Sequence, residues 1–148
     1  MKIASIIAIC LITLSCKKQE LKSDLEIRWE NCREEWSEEA TQQKLIGRWK
    51  MVAVGCAYCE RPGIGFTTEN VELQFSADGV VSTFVESVAV KTSNFRLKES
   101  YNSNFFSLET IPAGQNTYTW GVIEFCKNGL VFKSSYVDSG DFYFERMK

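Results

Sequence analysis

Val71-Glu72-Leu73-Gln74-Phe75-Ser76-Ala77-Asp78-Gly79-Val80-Val81-Ser82-Thr83-Phe84-Val85-Glu86 alternates, turns and comes back. Val71, Leu73 and Phe75 stand between Glu72, Gln74 and Ser76, a period of two. Successive side chains of a strand point to opposite faces, so this period builds one apolar and one wet face. Ala77-Asp78-Gly79 has turn chemistry, and Val80–Glu86 returns as a second strand. The stretch is a β-hairpin with a one-sided core, and it sets the fold class.

The same signals continue outward. Val88–Val90 and Phe95–Leu97 read as short strands, while Ser100–Gln115 is less regular and holds Pro112 and Gly114. Tyr118–Phe125 reads as a strand, Lys127-Asn128-Gly129 as its hairpin turn, and Leu130–Val137 as the return. Asp138-Ser139-Gly140-Asp141 turns again and Phe142–Met147 is the last strand. Toward the N-terminus the period of two begins at Gly47. Turn signals every eight to twelve residues and only two prolines predict an antiparallel sandwich or barrel.

Asp24–Leu45 has the other period. Leu25, Trp29, Cys32, Trp36 and Ala40 recur at spacings of three and four, with Glu26, Glu30, Arg33, Glu34, Glu38 and Glu39 between them. That predicts a helix over 24–45, capped by Ser23 or Asp24 and packed on the domain through Trp29 and Trp36. Its acidic face is ill suited to anionic headgroups. Residues 24–148 make one domain.

Ahead of it, Ile3–Leu14 is apolar except for Ser5 and Thr13. Twelve residues span about 18 Å as a helix, too short for a hydrocarbon core of about 30 Å. One Lys before a short apolar run fits an export leader. Thr13-Leu14-Ser15-Cys16 resembles the bacterial lipoprotein signal, and Cys10, preceded by Ile9, fits it less well. The resemblance implies a leader at 1–15, a lipid-bearing Cys16, and a tether over 16–23. The membrane is then a partner through acyl chains, each buried methylene contributing about 0.8 kcal/mol. Lys17 in place of Asp implies the outer membrane facing the periplasm, with the cell surface as the second location.

The formal charge is −2, and −3 once Lys2 leaves with the leader, with no basic patch among aromatics, which excludes nucleic acid as a partner. The chain has no histidine, so no Ser-His-Asp or Cys-His nucleophile can form within it. No cofactor or metal site is expected, and no catalytic residue is assigned. Glu124 and Asp141 read as solvated edge charges rather than as a carboxylate pair. Of six cysteines, Cys32, Cys56, Cys59 and Cys126 remain after Cys10 and Cys16 are set aside. An even number in an oxidising compartment reads as two disulfides, with three connectivities. We expect Cys126 to pair with Cys56 or Cys59, and the other of these with Cys32. Cys56-Ala-Tyr-Cys59 has redox spacing, but Glu60-Arg61-Pro62-Gly63 follows where a helix is needed. A single close pair also disfavours a zinc ribbon.

Leu45-Ile46-Gly47-Arg48-Trp49-Lys50-Met51-Val52 resembles the Gly-x-Trp opening of the calycin superfamily, which includes lipocalins and fatty-acid-binding proteins. Phe142-Tyr143-Phe144-Glu145-Arg146 resembles its last strand, where an Arg covers that Trp. Phe75-Ser76-Ala77-Asp78-Gly79 resembles a hairpin of small lipocalin-like lipoproteins. The lipocalin Thr-Asp-Tyr motif does not occur. The resemblance covers 45–148 and implies an up-and-down barrel of about eight strands behind the N-terminal helix, with Gly47, Trp49 and Arg146 structural. It implies a mouth opposite Trp49, a lid at Cys56–Glu69, and a small apolar ligand lined by Tyr58, Ile64 and Phe66. The alternative expectation is an envelope structural or protein-interaction module whose barrel is filled and holds no ligand.

Overall fold

A computed structural model describes Trp29, Cys32, Arg33, Glu35 and residues 37–56, 63–99, 105–113, 116–127, 129–134 and 140–148. The leader at 1–15, Cys16, the tether, Trp36, Tyr58 and Cys59 lie outside the described residues. The elements are α1 (Glu38–Leu45), β1 (Gly47–Cys56), β2 (Gly63–Phe66), β3 (Val71–Phe75), β4 (Val80–Val85) and β5 (Val88–Glu99), then β6 (Phe106–Ile111), β7 (Val122–Phe125), β8 (Gly129–Lys133) and β9 (Gly140–Arg146).

The founding hairpin forms β3 and β4, with Leu73 opposite Thr83 and Phe75 opposite Val81. Every neighbouring pair is antiparallel, and β1 pairs with β9 to close the sheet on itself. β2 and β3 lie along the same edge of β1. Three steps on β1, from Ala53 to Lys50, face six on the partner, from Phe66 to Glu72. They are two halves of one position, interrupted by residues 67–70, so the barrel has eight positions. Closure ties the two ends of the sheet together, with β6 and β7 the least paired neighbours among the described strands. Val88–Val90 and Phe95–Leu97 are parts of the single long β5. Tyr118–Phe125 is not one strand: Thr117–Thr119 forms a 3-10 turn capped by the Asn116 side chain, and β7 starts at Val122.

A bulge between Met51 and Ala53 exchanges the faces of β1. Before it Trp49 and Met51 point inward; after it Val54 does, while Ala53 turns out. The inner cluster joins Leu45, Trp49, Met51, Leu73, Phe75, Phe95, Phe132 and Phe144. The outer cluster, on β1, β8 and β9, is Ala53, Val131 and Tyr143 under Trp29. Trp29 lies so close on β8 that a methyl group at Gly129 would sit 2.0 Å from its ring.

Two expectations are corrected here. Helix α1 starts at Glu38, not at 24, because Ser37 is extended and its Oγ accepts from the Ala40 N–H. Arg33 meanwhile pairs with Phe125 through reciprocal backbone hydrogen bonds of 2.9 and 2.7 Å. Cys126 bonds to Cys32 rather than to Cys56 or Cys59. The Arg33–Phe125 bridge is the reason: one residue further along an antiparallel pair, Cys32 faces Cys126 with Cα atoms 4.2 Å apart.

Candidate functional site

The closed end is built from the two termini of the domain. The Arg146 guanidinium sits 4.5 Å from the centre of the Trp49 ring and donates to the Lys44 carbonyl at 2.6 Å. Trp49 Nε1 donates to the Leu45 carbonyl at 2.8 Å. Gly47 opens β1 in front of that guanidinium, with the position of a Cβ 3.1 Å from Nη1 of Arg146. Two carbonyls that a helix end leaves without intrahelical partners are thereby satisfied. An eight-residue helix, marginal by itself, is held against the barrel with Leu45 fully buried beneath it.

Above Leu45 the interior is aromatic. Phe75 meets Phe95 edge-on at 5.4 Å and Phe132 at 6.4 Å, and Phe132 meets Phe144 edge-on at 5.9 Å. Met51, Leu73, Ile123, Leu130, Val71 and Val81 complete this layer, all fully buried. Rings at these separations are in contact, so this half of the barrel is occupied by its own side chains.

The next layer is polar. Thr83, Ser93 and Thr110 take inward positions on β4, β5 and β6 and are buried. Ser93 is only 7% exposed, and its Oγ has no hydrogen-bond partner. The segment after β6 folds back across this layer. Asn116 Nδ2 donates to Thr83 Oγ1 at 2.8 Å, and the Tyr118 ring meets Phe142 edge-on at 5.6 Å. Burial first, and then the Glu69 carboxylate with which it hydrogen-bonds, hold the Tyr118 phenol above its ordinary pKa. The returning segment thus touches β4, β9 and the 67–70 link at once.

Its return leaves a gap in the wall. β6 and β7 share a single ladder pair, Ser107 with Val122. Beside it lies a cleft of about 310 Å³ lined by Lys98, Ser107, Leu108, Glu109, Thr110, Ala113, Asn116, Thr119, Trp120 and Gly121. Trp120 stands at this cleft 59% exposed.

Of the candidate ligand residues, the described Ile64 and Phe66 fall elsewhere. Ile64 and Phe66 register with Gly55 and Ala53, whose face is the outer one, so both lie on the outside of the barrel. Ile64 packs on the outer cluster and Phe66 is 72% exposed. They are two residues apart on one face, and neither meets the polar layer. The inward positions of β2 are Gly63 and Gly65, and no atom lies within 4 Å of where a Cβ of Gly65 would be. Glu124 binds Lys133 at 3.0 Å, and Asp141 accepts from the Ser134 N–H at 2.8 Å. Both carboxylates face Tyr143. Its phenol is held well above the ordinary value of 10.0, first by burial, then by Asp141 and Glu124. Among the described residues no group of three metal-ligating side chains comes together.

Thr83, Ser93, Thr110, Asn116 and Trp120 were not singled out from sequence. Their trace is hydroxyls at positions whose strand parity is that of the core, and an Asn capping a run that reads as strand. Neither family models, nor curated proteins, nor solved structures match this chain.

Proposed function

We infer that the protein is a lipid-anchored lipoprotein of the bacterial cell envelope, and that its lipocalin-like barrel is a tethered, non-enzymatic interaction module filled by its own side chains. The observation that carries the filled reading is the ring-on-ring contact of Phe75, Phe95, Phe132 and Phe144 above the Leu45 plug. An eight-stranded barrel is just wide enough to fill with side chains or to hold one small ligand. In this chain the closed half takes the first course. The lipocalin likeness is supported by the closed antiparallel barrel together with Arg146 over Trp49. The anchor rests on Thr13-Leu14-Ser15-Cys16. An oxidising compartment agrees with the Cys32–Cys126 disulfide.

One observation favours a second reading, a small apolar ligand seated at the mouth: Gly65 takes an inward position there, with its surroundings open to solvent. Native mass spectrometry of the full chain, purified from its own membranes, separates the two. The filled reading expects the mass of the acylated protein alone. A co-purifying apolar molecule at one per chain establishes the carrier instead. For the anchor, labelled palmitate is expected in the wild type and absent from Cys16→Ala; label persisting in that variant overturns it.

A further inference from the structure

We propose that the cleft between β6 and the returning segment is a binding site for a neutral saccharide. The inference goes beyond the module reading and does not depend on the anchor. Three features of the cleft select this chemistry.

The first is its balance of polarity. Ser107, Thr110, Asn116 and Thr119 line it with hydroxyl and amide groups, and Leu108 and Ala113 supply the apolar part. The Ser107 and Thr119 hydroxyls donate to the Lys98 and Asn116 carbonyls and keep lone pairs for an outside donor, which an acyl chain seated there would leave unmet. A ring bearing hydroxyls on its edge supplies that donor. Asn116 is already oriented, since Nδ2 donates to Thr83 and Oδ1 accepts from the Tyr118 N–H at 3.2 Å. Its amide carries a second N–H.

Charge is the second feature. Lys98 and Glu109 are the charged residues of the lining, one of each sign, and Glu109 is engaged by Arg96 Nε at 2.6 Å. With Glu109 paired to Arg96, the lining is left with the single charge of Lys98 and no cluster of like charges to recommend a phosphate, a carboxylate or an amine.

Third is Trp120. A sugar ring presents an apolar C–H face, and the electron-rich face of an indole attracts those polarised hydrogens. The backbone next to Trp120 is fixed by Gly121. Gly121 adopts φ +120, and a Cβ there would lie 2.4 Å from the Lys133 carbonyl oxygen. The chain is thereby pressed against the end of β8, and the indole just before it stays outside at the cleft. The volume, about 310 Å³, sits at the small end of ligand pockets, which span about 300–1,000 Å³. It suits a mono- or disaccharide rather than a long chain.

The test is two-dimensional NMR of the full-length protein titrated with N,N′-diacetylchitobiose, cellobiose and maltose in turn. At least one sugar is expected to shift the Trp120 indole N–H together with the Asn116 side-chain amide. Trp120→Ala is expected to weaken the Asn116 response about tenfold while Trp120→Phe keeps most of it. Since Trp120 is exposed, both variants are expected to keep the wild-type melting temperature, which a thermal scan checks. The proposal is overturned if none of the three sugars moves either resonance at millimolar concentration, or if the Asn116 response is unchanged in Trp120→Ala.

Discussion

Tyr143 shows how one side chain links packing to pH. It is buried in the outer cluster against Trp29, with ring centres 5.2 Å apart, and faces Asp141 and Glu124. In the unfolded chain its phenol ionises near 10.0; in the folded protein it holds its proton to higher pH. Above about pH 10 the unfolded state therefore gives up a proton that the folded state keeps, and stability falls as pH rises. Urea melts from about pH 9 to about pH 11 are expected to show that loss in the wild type and a clearly smaller one in Tyr143→Phe. Equal slopes would mean that Tyr143 does not carry it. Arg146 gives a second prediction at this scale. Arg146→Ala removes both the stacking on Trp49 and the bond to the Lys44 carbonyl, and is expected to cost about 1–2 kcal/mol in urea melts. Arg146 and Trp49 were legible through the resemblance of the two ends of the domain to short family motifs. Ser93 and Thr83 were not singled out: their strand parity is that of the core, but a hydroxyl at such a position does not by itself announce a polar layer.

Among the elements, the N-terminal strap departs most from its sequence reading. Leu25, Trp29, Cys32, Trp36 and Ala40 satisfy a helical period, yet Arg33 is paired to Phe125 and Ser37 is extended. A period reports which residues seek burial, and tertiary pairing decides the backbone that buries them. Trp29 is buried as the stripe requires, but against β8 and β9 and itself in a turn. That Cys32 and Cys126 form disulfides was legible, but that they pair with each other was not, for a related reason. Cys32 and Cys126 are 94 residues apart, and the Arg33–Phe125 bridge brings them face to face. Closing so long a loop restricts the unfolded chain strongly. Cys32→Ser with Cys126→Ser is expected to lower stability by about 2–4 kcal/mol, read by urea melts under non-reducing conditions. A change below about 0.5 kcal/mol would contradict a structural role for this bridge.

The whole molecule is a barrel of uneven seams. β1 and β9 pair along seven register positions, whereas β6 and β7 share one. The strong seam carries the Trp29 cluster and the Arg146 lock, while the disulfide sits at the end of β7. The weak one borders the polar layer and the Trp120 cleft. Local opening follows the number and burial of backbone hydrogen bonds, so hydrogen exchange is expected to be faster for Phe106–Ser107 and Val122 than for Trp49–Met51 and Phe144. Faster exchange at Met51 and Phe144 would contradict that order. The barrel itself was legible because alternation, turns and closing residues recur along the chain. How its interior is used was not, since ten phenylalanines line a cavity as readily as they fill one.

Filling is the central claim, and titration of the full chain with cis-parinaric acid tests it most directly. The account predicts no saturable rise in fluorescence, because Phe75, Phe95, Phe132 and Phe144 already occupy the closed half of the barrel. Saturable uptake at one molecule per chain, abolished by enlarging Gly65 to Leu, would contradict it.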